Sequence, residues 1–301
     1  MKPDPVARAL GAAISEAIGA KFDVISVAPV GGGCIHTALE VSGKSPTGAP
    51  RYFAKVNDAS SAAMFDAEAD GLAALGAARC VTVPQVVARG HDDERAWLVL
   101  QWLDLAPLAD RSAAALGHGL ARQHRMPQER FGWARDNFIG ASPQANGWSD
   151  DWHGFWRDRR LHAQLRMAAA KRLPSRMIDR GERLASDFAA LLVGHRVEKS
   201  LLHGDLWSGN VAALEGEVPA LFDPAVYVGD READLAMTEL FGGFPPGFMA
   251  AYRSDWNLDD GYTTRRDLYN LYHLLNHANL FAGDYVRRAG QSVERLLAEI
   301  S

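Results

Sequence analysis

The sequence predicts an α+β fold in two lobes, a small β-rich lobe followed by a larger, mainly helical lobe. Residues 22–101 contain five short stretches with strand character, separated by turn signals, and one helical stretch among them. After Trp102 the pattern changes to long amphipathic helices. We therefore expect a five-stranded antiparallel sheet with one helix in residues 1–102 and a helical lobe in residues 103–301, with a ligand cleft at their junction.

Each element rests on a local pattern. Strands are predicted where apolar and β-branched residues cluster between turns, and helices where apolar residues recur at helical spacing. The strands of the first lobe are predicted at 24–27, 35–41, 51–56, 85–88 and 97–101, and its helix at 60–78. The helices of the second lobe are predicted at 112–125, 151–171, 178–194, 233–241, 246–252, 263–282 and 284–299. A short strand at Val218–Phe222 ends at Asp223.

Composition and charge exclude several classes of function. The chain has 301 residues, 48% of them apolar, which is enough for one large or two modest globular domains. A net charge of −5 argues against a nucleic-acid partner, and the chain lacks the uncharged apolar run of about 18 residues that a membrane span needs. Asp4 and two prolines interrupt the segment where a signal peptide has its apolar core. Two cysteines, Cys34 and Cys80, fit a reducing cytosol, so we expect a soluble cytoplasmic protein.

Two short blocks supply the acid-base and metal-binding groups of a phosphoryl-transfer site. They are His203-Gly204-Asp205-Leu206-Trp207-Ser208-Gly209-Asn210 and Leu221-Phe222-Asp223-Pro224. Asp205 and Asn210 share one tight loop, and Asp223 follows a buried strand. In kinase-like folds the first Asp accepts the proton of the acceptor hydroxyl, and the Asn and the second Asp hold Mg²⁺. Taken alone, the blocks also fit a surface turn and a strand end.

A glycine-rich turn between the first two predicted strands is a candidate phosphate-binding loop. Gly31, Gly32 and Gly33 let backbone amides approach phosphate oxygens, although an ordinary turn has the same composition. The turn is not a P-loop, because no Gly-Lys-Ser/Thr follows it. We hypothesise that oxidation of Cys34 in this loop, including an inter-chain disulfide, inhibits ATP binding; an inert side chain is the alternative.

Lys55 and Glu68 are the candidates for holding the α- and β-phosphates of ATP. Lys55 alternates onto the buried face of its strand, where an ammonium group needs a partner. Glu68, on the following helix, is positioned to supply the carboxylate. The backbone of the link between the lobes, at Gln101, Trp102 and Leu103, is expected to contact the adenine edge.

The order of these parts resembles the protein-kinase-like superfamily that includes the aminoglycoside and choline kinases. More narrowly, the chain resembles the fructosamine kinase (ketosamine-3-kinase) family, most specifically in the blocks 203–210 and 229–237. Further matching segments are 137–140, 143–144, 146–148, 151–152, 223–225, 240–244 and 271–277. The resemblance implies a protein-kinase-like two-lobe fold, ATP and Mg²⁺ as cofactors, and phosphorylation of the 3-hydroxyl of a sugar joined through C1 to an amine.

The expected roles follow the order of events in phosphoryl transfer. We expect Asp205 to orient the sugar hydroxyl and accept its proton while Asn210 and Asp223 hold Mg²⁺. Lys55, steadied by Glu68, is expected to neutralise the phosphates.

The residues that contact the substrate are less determined by the sequence. Trp207, beside the expected base, either forms an apolar wall against the sugar or packs within the lobe. Asp230 and Glu232 either receive the cationic amine of a ketosamine or charge the first turn of a helix. For Asp234 we favour a structural role at a helix start.

The expected acceptor is a small-molecule or protein-bound ketosamine derived from fructose, ribulose or erythrulose, and the expected biological role is deglycation. We expect no nucleic-acid or membrane partner, and a monomer or weak dimer. An aminoglycoside- or choline-type kinase of the same fold and a non-catalytic nucleotide-binding protein are the alternatives. His273 and His277 have metal-ligand spacing on a predicted helix, but without a third ligand a zinc site is not expected.

Overall fold

The first part of the chain folds into a five-stranded antiparallel sheet, as predicted. The computed structural model describes residues 4–31 and 35–300. The strands are β1 (Asp23–Pro29), β2 (Thr37–Lys44), β3 (Arg51–Asp58), β4 (Val86–His91) and β5 (Arg95–Gln101). They lie in the order β1-β2-β3-β5-β4, so β3 is the central strand.

Two helices cover the sheet. One of them was predicted from the sequence, and the other was not. The unpredicted helix, α1 (Pro5–Ile18), buries Leu10 and Ile14 against the sheet. Its start has a local cause, because the Asp4 carboxylate caps the first turn and a proline occupies the first helical position. The predicted helix, α2 (Ala62–Ala78), lies between β3 and β4 in the chain.

The rest of the chain is mainly helical, also as predicted. Its helices are α3 (Asp110–His124), α4 (Trp152–Trp156), α5 (His162–Ala170), α6 (Ser175–Asp187), α7 (Glu232–Leu240), α8 (Pro246–Asp255), α9 (Tyr262–Phe281) and α10 (Asp284–Ile300). One apolar core surrounds Trp156 and Tyr269, and a second surrounds Leu120 and Tyr252, where α3 packs on α8. None of the helices that the structure describes combines the length and apolar composition that crossing a bilayer requires.

The helix predicted at 151–171 is interrupted by a π-helical turn at Arg157–Leu161. This turn carries Arg160 into the core, where the side chain is fully buried. Its guanidinium carbon lies 4.1 Å from the ring centroid of Tyr227, and its Nη2 donates a 2.9 Å hydrogen bond to Asn146 Oδ1. The apolar spacing predicted a continuous helix here, and a regular amphipathic helix would keep Arg160 on its exposed face.

Short strands between the helices position the loops of the cleft. They are β6 (Asn137–Ile139), β7 (Ser142–Gln144), β8 (Lys199–Leu202), β9 (Val211–Leu214), β10 (Val218–Leu221) and β11 (Tyr227–Asp230). β9 and β10 form an antiparallel hairpin in which Val211 lies opposite Leu221. The residues that precede β9 and follow β10 therefore lie at the same end of the hairpin.

Candidate active site

The loop after β8 is held in shape by a buried carboxylate. Asp234, in the first turn of α7, accepts hydrogen bonds from the backbone N–H groups of His203 (2.7 Å) and Gly204 (2.8 Å). Gly204 has a φ of +82°, and a Cβ there would lie 2.1 Å from the backbone oxygen of Ala225, so only glycine fits. Asp234 thus has a structural role, but it anchors this loop as well as charging the start of its own helix.

The structure brings Asp205 and Asn210 together on this loop. Asn210 Nδ2 donates to the backbone oxygen of Asp205 at 2.9 Å and lies 3.2 Å from Asp205 Oδ2. It also lies 3.5 Å from the backbone oxygen of Asp223. The amide nitrogen is engaged by these oxygens, whereas Asn210 Oδ1 has no hydrogen-bond partner within residues 4–31 and 35–300. Oδ1 is therefore the atom that is available to a cation.

Asp223 follows β10 in a left-handed conformation, with a φ of 57°. Two backbone hydrogen bonds join its turn to the loop after β8: Phe222 N–H donates to Asn210 O (3.1 Å), and Ala225 N–H donates to His203 O (2.8 Å). A non-glycine residue adopts positive φ only where the surroundings fix it there. Asp223 is consequently held beside Asp205 and Asn210 by two connected loops.

Lys55, on the central strand β3, contacts carboxylates from both lobes. Its Nζ lies 2.6 Å from Glu68 Oε1 on α2, which is the ion pair expected from the sequence, and 2.6 Å from Asp223 Oδ1. Burial lowers the pKa of Lys55, but the charges of Glu68 and Asp223 outweigh this effect and raise the pKa above its usual value. Lys55 is therefore protonated, and its contact with Asp223 is a link between the lobes that the sequence did not reveal.

The carboxylates of the cleft form a site that a divalent cation fits. Burial raises the pKa of Asp205 to about 7, and the nearby charge of Asp223 contributes in the same direction. The hydrogen bond from Asn210 acts in the opposite direction. The shift arises mainly because burial disfavours the charged carboxylate. Carboxylate and amide oxygens are the ligands that Mg²⁺ prefers, and Asp223 and Asn210 supply both kinds.

The glycine-rich turn is described only at its first residue. A Cβ on Gly31 would meet no atom within 4 Å, so the backbone there is open to a ligand. Gly32, Gly33 and Cys34 lie outside the described residues, and the roles expected for them remain predictions.

A histidine that the sequence analysis did not consider lies between this turn and Lys55. The ring of His36 packs on Phe65 of α2 at 4.8 Å between centroids, and its Nδ1 lies 2.9 Å from Asn57 Nδ2. Burial and the charge of Lys55 lower the pKa of His36 to about 4. His36 is therefore neutral near pH 7 and leaves Lys55 as the positive charge on this side of the site.

The link between the lobes has the free backbone groups that an adenine edge requires. Gln101 N–H belongs to the sheet, since it donates to Gln85 O at 2.8 Å. Trp102 is held by its indole N–H, which donates to Asp104 Oδ1 at 2.9 Å. The backbone groups of Trp102 and Leu103 have no hydrogen-bond partner in the described part of the chain, so they remain available to a ligand.

Trp207 occupies the same loop as Asp205 and is 38% exposed. Its indole lies directly over Gly209, where a Cβ would approach a ring carbon to 2.2 Å. The absence of a side chain at Gly209 therefore lets the ring lie flat on the loop. Of the two alternatives for Trp207, this exposure favours an apolar wall beside Asp205.

Aromatic rings continue from Trp207 along the C-terminal helices. The ring centroid of Phe241 lies 6.1 Å from Trp207, His277 lies 5.0 Å from Phe241, and Tyr285 lies 4.9 Å from His277. Phe281, 56% exposed, packs on His277 at the outer end. We call these five side chains the aromatic wall. The sequence analysis missed all but Trp207, because the members belong to separate elements that only the tertiary fold brings together.

The structure corrects the assignment of Asp230 and Glu232 to the substrate. Asp230 is 1% exposed and accepts hydrogen bonds of 2.6 Å from Tyr269 Oη and from His195 Nε2. Glu232 is fully buried, and both of its oxygens accept hydrogen bonds from Arg265, at 2.6 and 2.9 Å. Both carboxylates are buried and already paired, so they stabilise the helical lobe and are unavailable to a ligand amine.

These features define a class of protein, the kinases that transfer phosphate to a hydroxyl group on a protein-kinase-like fold. Comparison with known proteins narrows the class. The fructosamine kinase family model matches residues 6–299. The chain belongs to the fructosamine kinase family, which confirms the resemblance and the fold predicted from the sequence.

Individual relatives match over nearly the whole chain. A probable ketoamine kinase from Synechocystis is 41% identical over 285 residues, covering 94% of each chain. A chloroplastic protein-ribulosamine 3-kinase from Arabidopsis thaliana is 37% identical over 270 residues, covering 89% of this chain and 81% of the relative. The crystal structure of a candidate fructosamine-3-kinase from Haemophilus somnus superposes with a TM-score of 0.86 at 27% identity, covering 96% of each chain.

Proposed function

We propose that this protein transfers the γ-phosphoryl group of ATP to the 3-hydroxyl of a ketosamine. The observation that carries the proposal is the convergence of Asp205, Asn210 and Asp223 with Lys55 at one cleft, in a chain of the fructosamine kinase family. The relatives named as ketoamine and ribulosamine kinases support the choice of acceptor over aminoglycosides or choline.

Asp205 is the proposed general base. Its pKa of about 7 lies close to working pH, where a base combines a large deprotonated fraction with useful basicity. The proton of the sugar 3-hydroxyl passes to the Asp205 carboxylate as the hydroxyl oxygen forms a bond to the γ-phosphorus. The bond from that phosphorus to the β,γ-bridging oxygen breaks, and ADP leaves with the electron pair.

Asn210 and Asp223 are the proposed ligands of a divalent cation, which we take to be Mg²⁺. When bound, the cation neutralises the negative charge of the phosphate oxygens. Asn210 contributes Oδ1, and Asp223 contributes the carboxylate that Lys55 already contacts. Lys55 is held by Glu68 on the opposite side, so its ammonium group stays in place for the α- and β-phosphates.

The remaining nucleotide contacts are proposed from position. The backbone of Gln101, Trp102 and Leu103 borders the cleft where the lobes join, and Gly31 opens the loop that we propose covers the phosphates. We propose the boundary of the two lobes at residues 102 and 103, on the C-terminal side of β5.

The aromatic wall is the proposed contact surface for the sugar and its amine substituent. Trp207 adjoins Asp205 in the loop, and Phe281 is exposed at the far end of the wall. A partly exposed surface accommodates a substituent that extends out of the cleft, so we propose that both free and protein-bound ketosamines are accepted. The faces of aromatic rings attract cations. We therefore propose that the aromatic wall, and not Asp230 or Glu232, receives the cationic amine of the ketosamine.

A substrate panel tests this function. ADP release is measured with Mg-ATP and ribulose-lysine, erythrulose-lysine, fructose-lysine, kanamycin or choline, each with wild type and Asp205→Asn. We expect turnover only on ketosamines, abolished by the substitution. Turnover restricted to kanamycin or choline would show that the acceptor is wrong, and nucleotide binding without any turnover would favour a non-catalytic protein.

A further inference from the structure

Arg288, on α10, places a positive charge on the aromatic wall. Its guanidinium carbon lies 5.8 Å from the ring centroid of Phe241 and 5.7 Å from that of Tyr285. The side chain is half-buried against these two rings. No other lysine or arginine in the described part of the chain lies over a ring of the wall. Arg288 is therefore the cation that a molecule bound along the wall meets.

The guanidinium group of Arg288 has no anionic partner of its own. It forms no ion pair and no hydrogen bond within the described ranges. Two other arginines of the same helix differ in this respect. Arg287 pairs with Asp284 at 2.8 Å. Arg295 lies 3.9 Å from Asp267. The donors of Arg288 therefore remain available to an anion from outside the chain.

The histidine of the wall, His277, is neutral near pH 7. Its Nδ1 donates a 2.9 Å hydrogen bond to the backbone oxygen of His273. Burial lowers the pKa of His277 below its usual value, and the charge of Arg288 acts in the same direction, against that hydrogen bond. The positive charge on the wall consequently comes from Arg288 and not from His277.

The position of Arg288 restricts where a cationic amine lies on the wall. Aromatic faces attract cations, but at Phe241 and Tyr285 a second positive charge is repelled by the guanidinium group. Trp207 carries no such cation within the described residues, and it adjoins Asp205 in the loop. The amine of a ketosamine therefore lies toward Trp207, and a negative group further along the substrate lies toward Arg288.

The distance along the wall fits a sugar attached to the side chain of lysine. The ring centroid of Phe241 lies 6.1 Å from that of Trp207 and 5.8 Å from the guanidinium carbon of Arg288, so the Trp207 ring and this carbon are at most about 12 Å apart. An extended lysine separates its ε-nitrogen from its α-carboxylate by roughly 7 Å, and a hydrogen bond to the guanidinium group adds about 3 Å. The α-carboxylate thus reaches Arg288 while the amine lies at Trp207.

We propose that Arg288 binds the α-carboxylate of a free lysine adduct and so favours free ketosamine amino acids over ketosamines on protein lysines. In a peptide chain this carboxylate is an amide, so a protein-bound lysine lacks the anion. Both kinds of acceptor reach the cleft, but only the free adduct gains the ion pair. This inference rests on the proposed phosphoryl transfer to ketosamines and names the acceptor that the site favours.

Two acceptors that differ only in the carboxylate test the inference. ADP release is measured with Mg-ATP and either Nα-acetyl-Nε-ribulosyl-lysine or its carboxamide, which imitates a lysine in a protein. We expect kcat/KM to be at least about tenfold higher for the carboxylate, with most of the difference in KM. Equal kcat/KM for the two compounds would overturn the inference alone. Turnover of neither compound would contradict the proposed function and the inference with it.

Substitutions on α10 assign the preference to one side chain. Arg288→Met should reduce the ratio of the two kcat/KM values to less than about twofold, and Arg288→Lys, which keeps the charge but loses the paired donors, should give an intermediate ratio. Arg287→Met is the matched control, because it removes an equal charge from an exposed arginine of the same helix, and it should keep the wild-type ratio. A wild-type ratio in Arg288→Met would overturn the inference. The comparison of the two compounds in wild type decides the preference even if Arg288→Met does not fold.

Discussion

Lys55 and Asp223, 168 positions apart in the chain, are joined by a 2.6 Å contact between Nζ and Oδ1. The contact connects the central strand of the sheet to the turn after β10. Glu68 holds the same ammonium group from the other side at 2.6 Å. Lys55 is therefore positioned between the two lobes before any ligand binds, which reduces the reorganisation that nucleotide binding requires.

Replacing Lys55 by methionine should impair nucleotide use strongly. The change removes the only lysine in contact with Glu68 and Asp223 among the described residues and leaves those carboxylates uncompensated. We expect kcat/KM for ATP to fall by at least about 100-fold. Lys44→Met, at the exposed end of β2, is the matched control and should behave like wild type. A loss of less than about threefold in Lys55→Met would remove Lys55 from the proposed mechanism.

Because its pKa is raised, Asp205 should lower the free energy of unfolding at neutral and alkaline pH. Its pKa is 3.8 when unperturbed and about 7 in the folded protein, so the folded state holds the extra proton between these values. Stability therefore decreases as pH rises through this interval, and it does not recover above it.

Asp205→Asn removes this titration. The gain in unfolding free energy relative to wild type should be about 2 kcal/mol larger at about pH 8 than at about pH 5. Urea unfolding at both pH values, without Mg²⁺ or nucleotide, measures it. An equal difference at the two pH values would mean that the pKa of Asp205 is not raised.

Asp234→Asn should misplace the loop that carries Asp205. The N–H groups of His203 and Gly204 bind different oxygens of Asp234, and asparagine replaces one of these oxygens by an NH₂ group that cannot accept. We expect kcat to fall at least about tenfold and stability to fall by about 2 kcal/mol. Asp179→Asn, on the exposed surface of α6, is the control. Unchanged kcat in Asp234→Asn would show that the loop does not depend on this carboxylate.

The buried pair of Glu232 and Arg265 should behave as a structural element. Arg265→Met leaves a fully buried carboxylate unpaired and should destabilise the fold by about 3–5 kcal/mol, measured by thermal or urea unfolding. The double variant Glu232→Leu/Arg265→Met should recover much of this loss. If Glu232→Gln instead raised the KM for a ketosamine without changing stability, the original assignment of Glu232 to the substrate would return.

Trp207→Leu should weaken binding of the acceptor and leave binding of the nucleotide unchanged. The leucine removes most of the ring surface beside Asp205, so KM for the ketosamine should rise about tenfold while KM for ATP stays unchanged. Trp148→Leu is the matched control, because Trp148 is also exposed, at 45%, and is distant in sequence from the loop. Equal effects of the two substitutions on acceptor KM would argue against the aromatic wall.

Local patterns were sufficient to predict much of the fold and part of the site. The sheet and most of the helices, though not α1, follow from spacing within short segments, because strand alternation and helical periodicity are local properties. Asp205 and Asn210 were placed together for the same reason, since one tight loop carries both. Glu68 was paired with Lys55 from the order of parts in kinases.

Features created by distant segments could not be predicted in this way. The contact of Lys55 with Asp223 and the aromatic wall depend on how the lobes and helices pack. The acids Asp230 and Glu232 were misassigned because a sequence shows charge but not burial, and their partners Tyr269 and Arg265 lie on another helix. The inward-facing Arg160 was missed because the π-helical turn breaks the periodicity on which the prediction relied.

The most direct test of the proposed function is the identity of the product made from ribulose-lysine and Mg-ATP. Phosphorus and proton NMR of the reaction should show one new phosphate ester, coupled to the proton on C3 of the sugar. Asp205→Asn should lower its rate of formation by at least about 100-fold. Phosphate on another position, or product formation at the wild-type rate by Asp205→Asn, would contradict the proposed reaction.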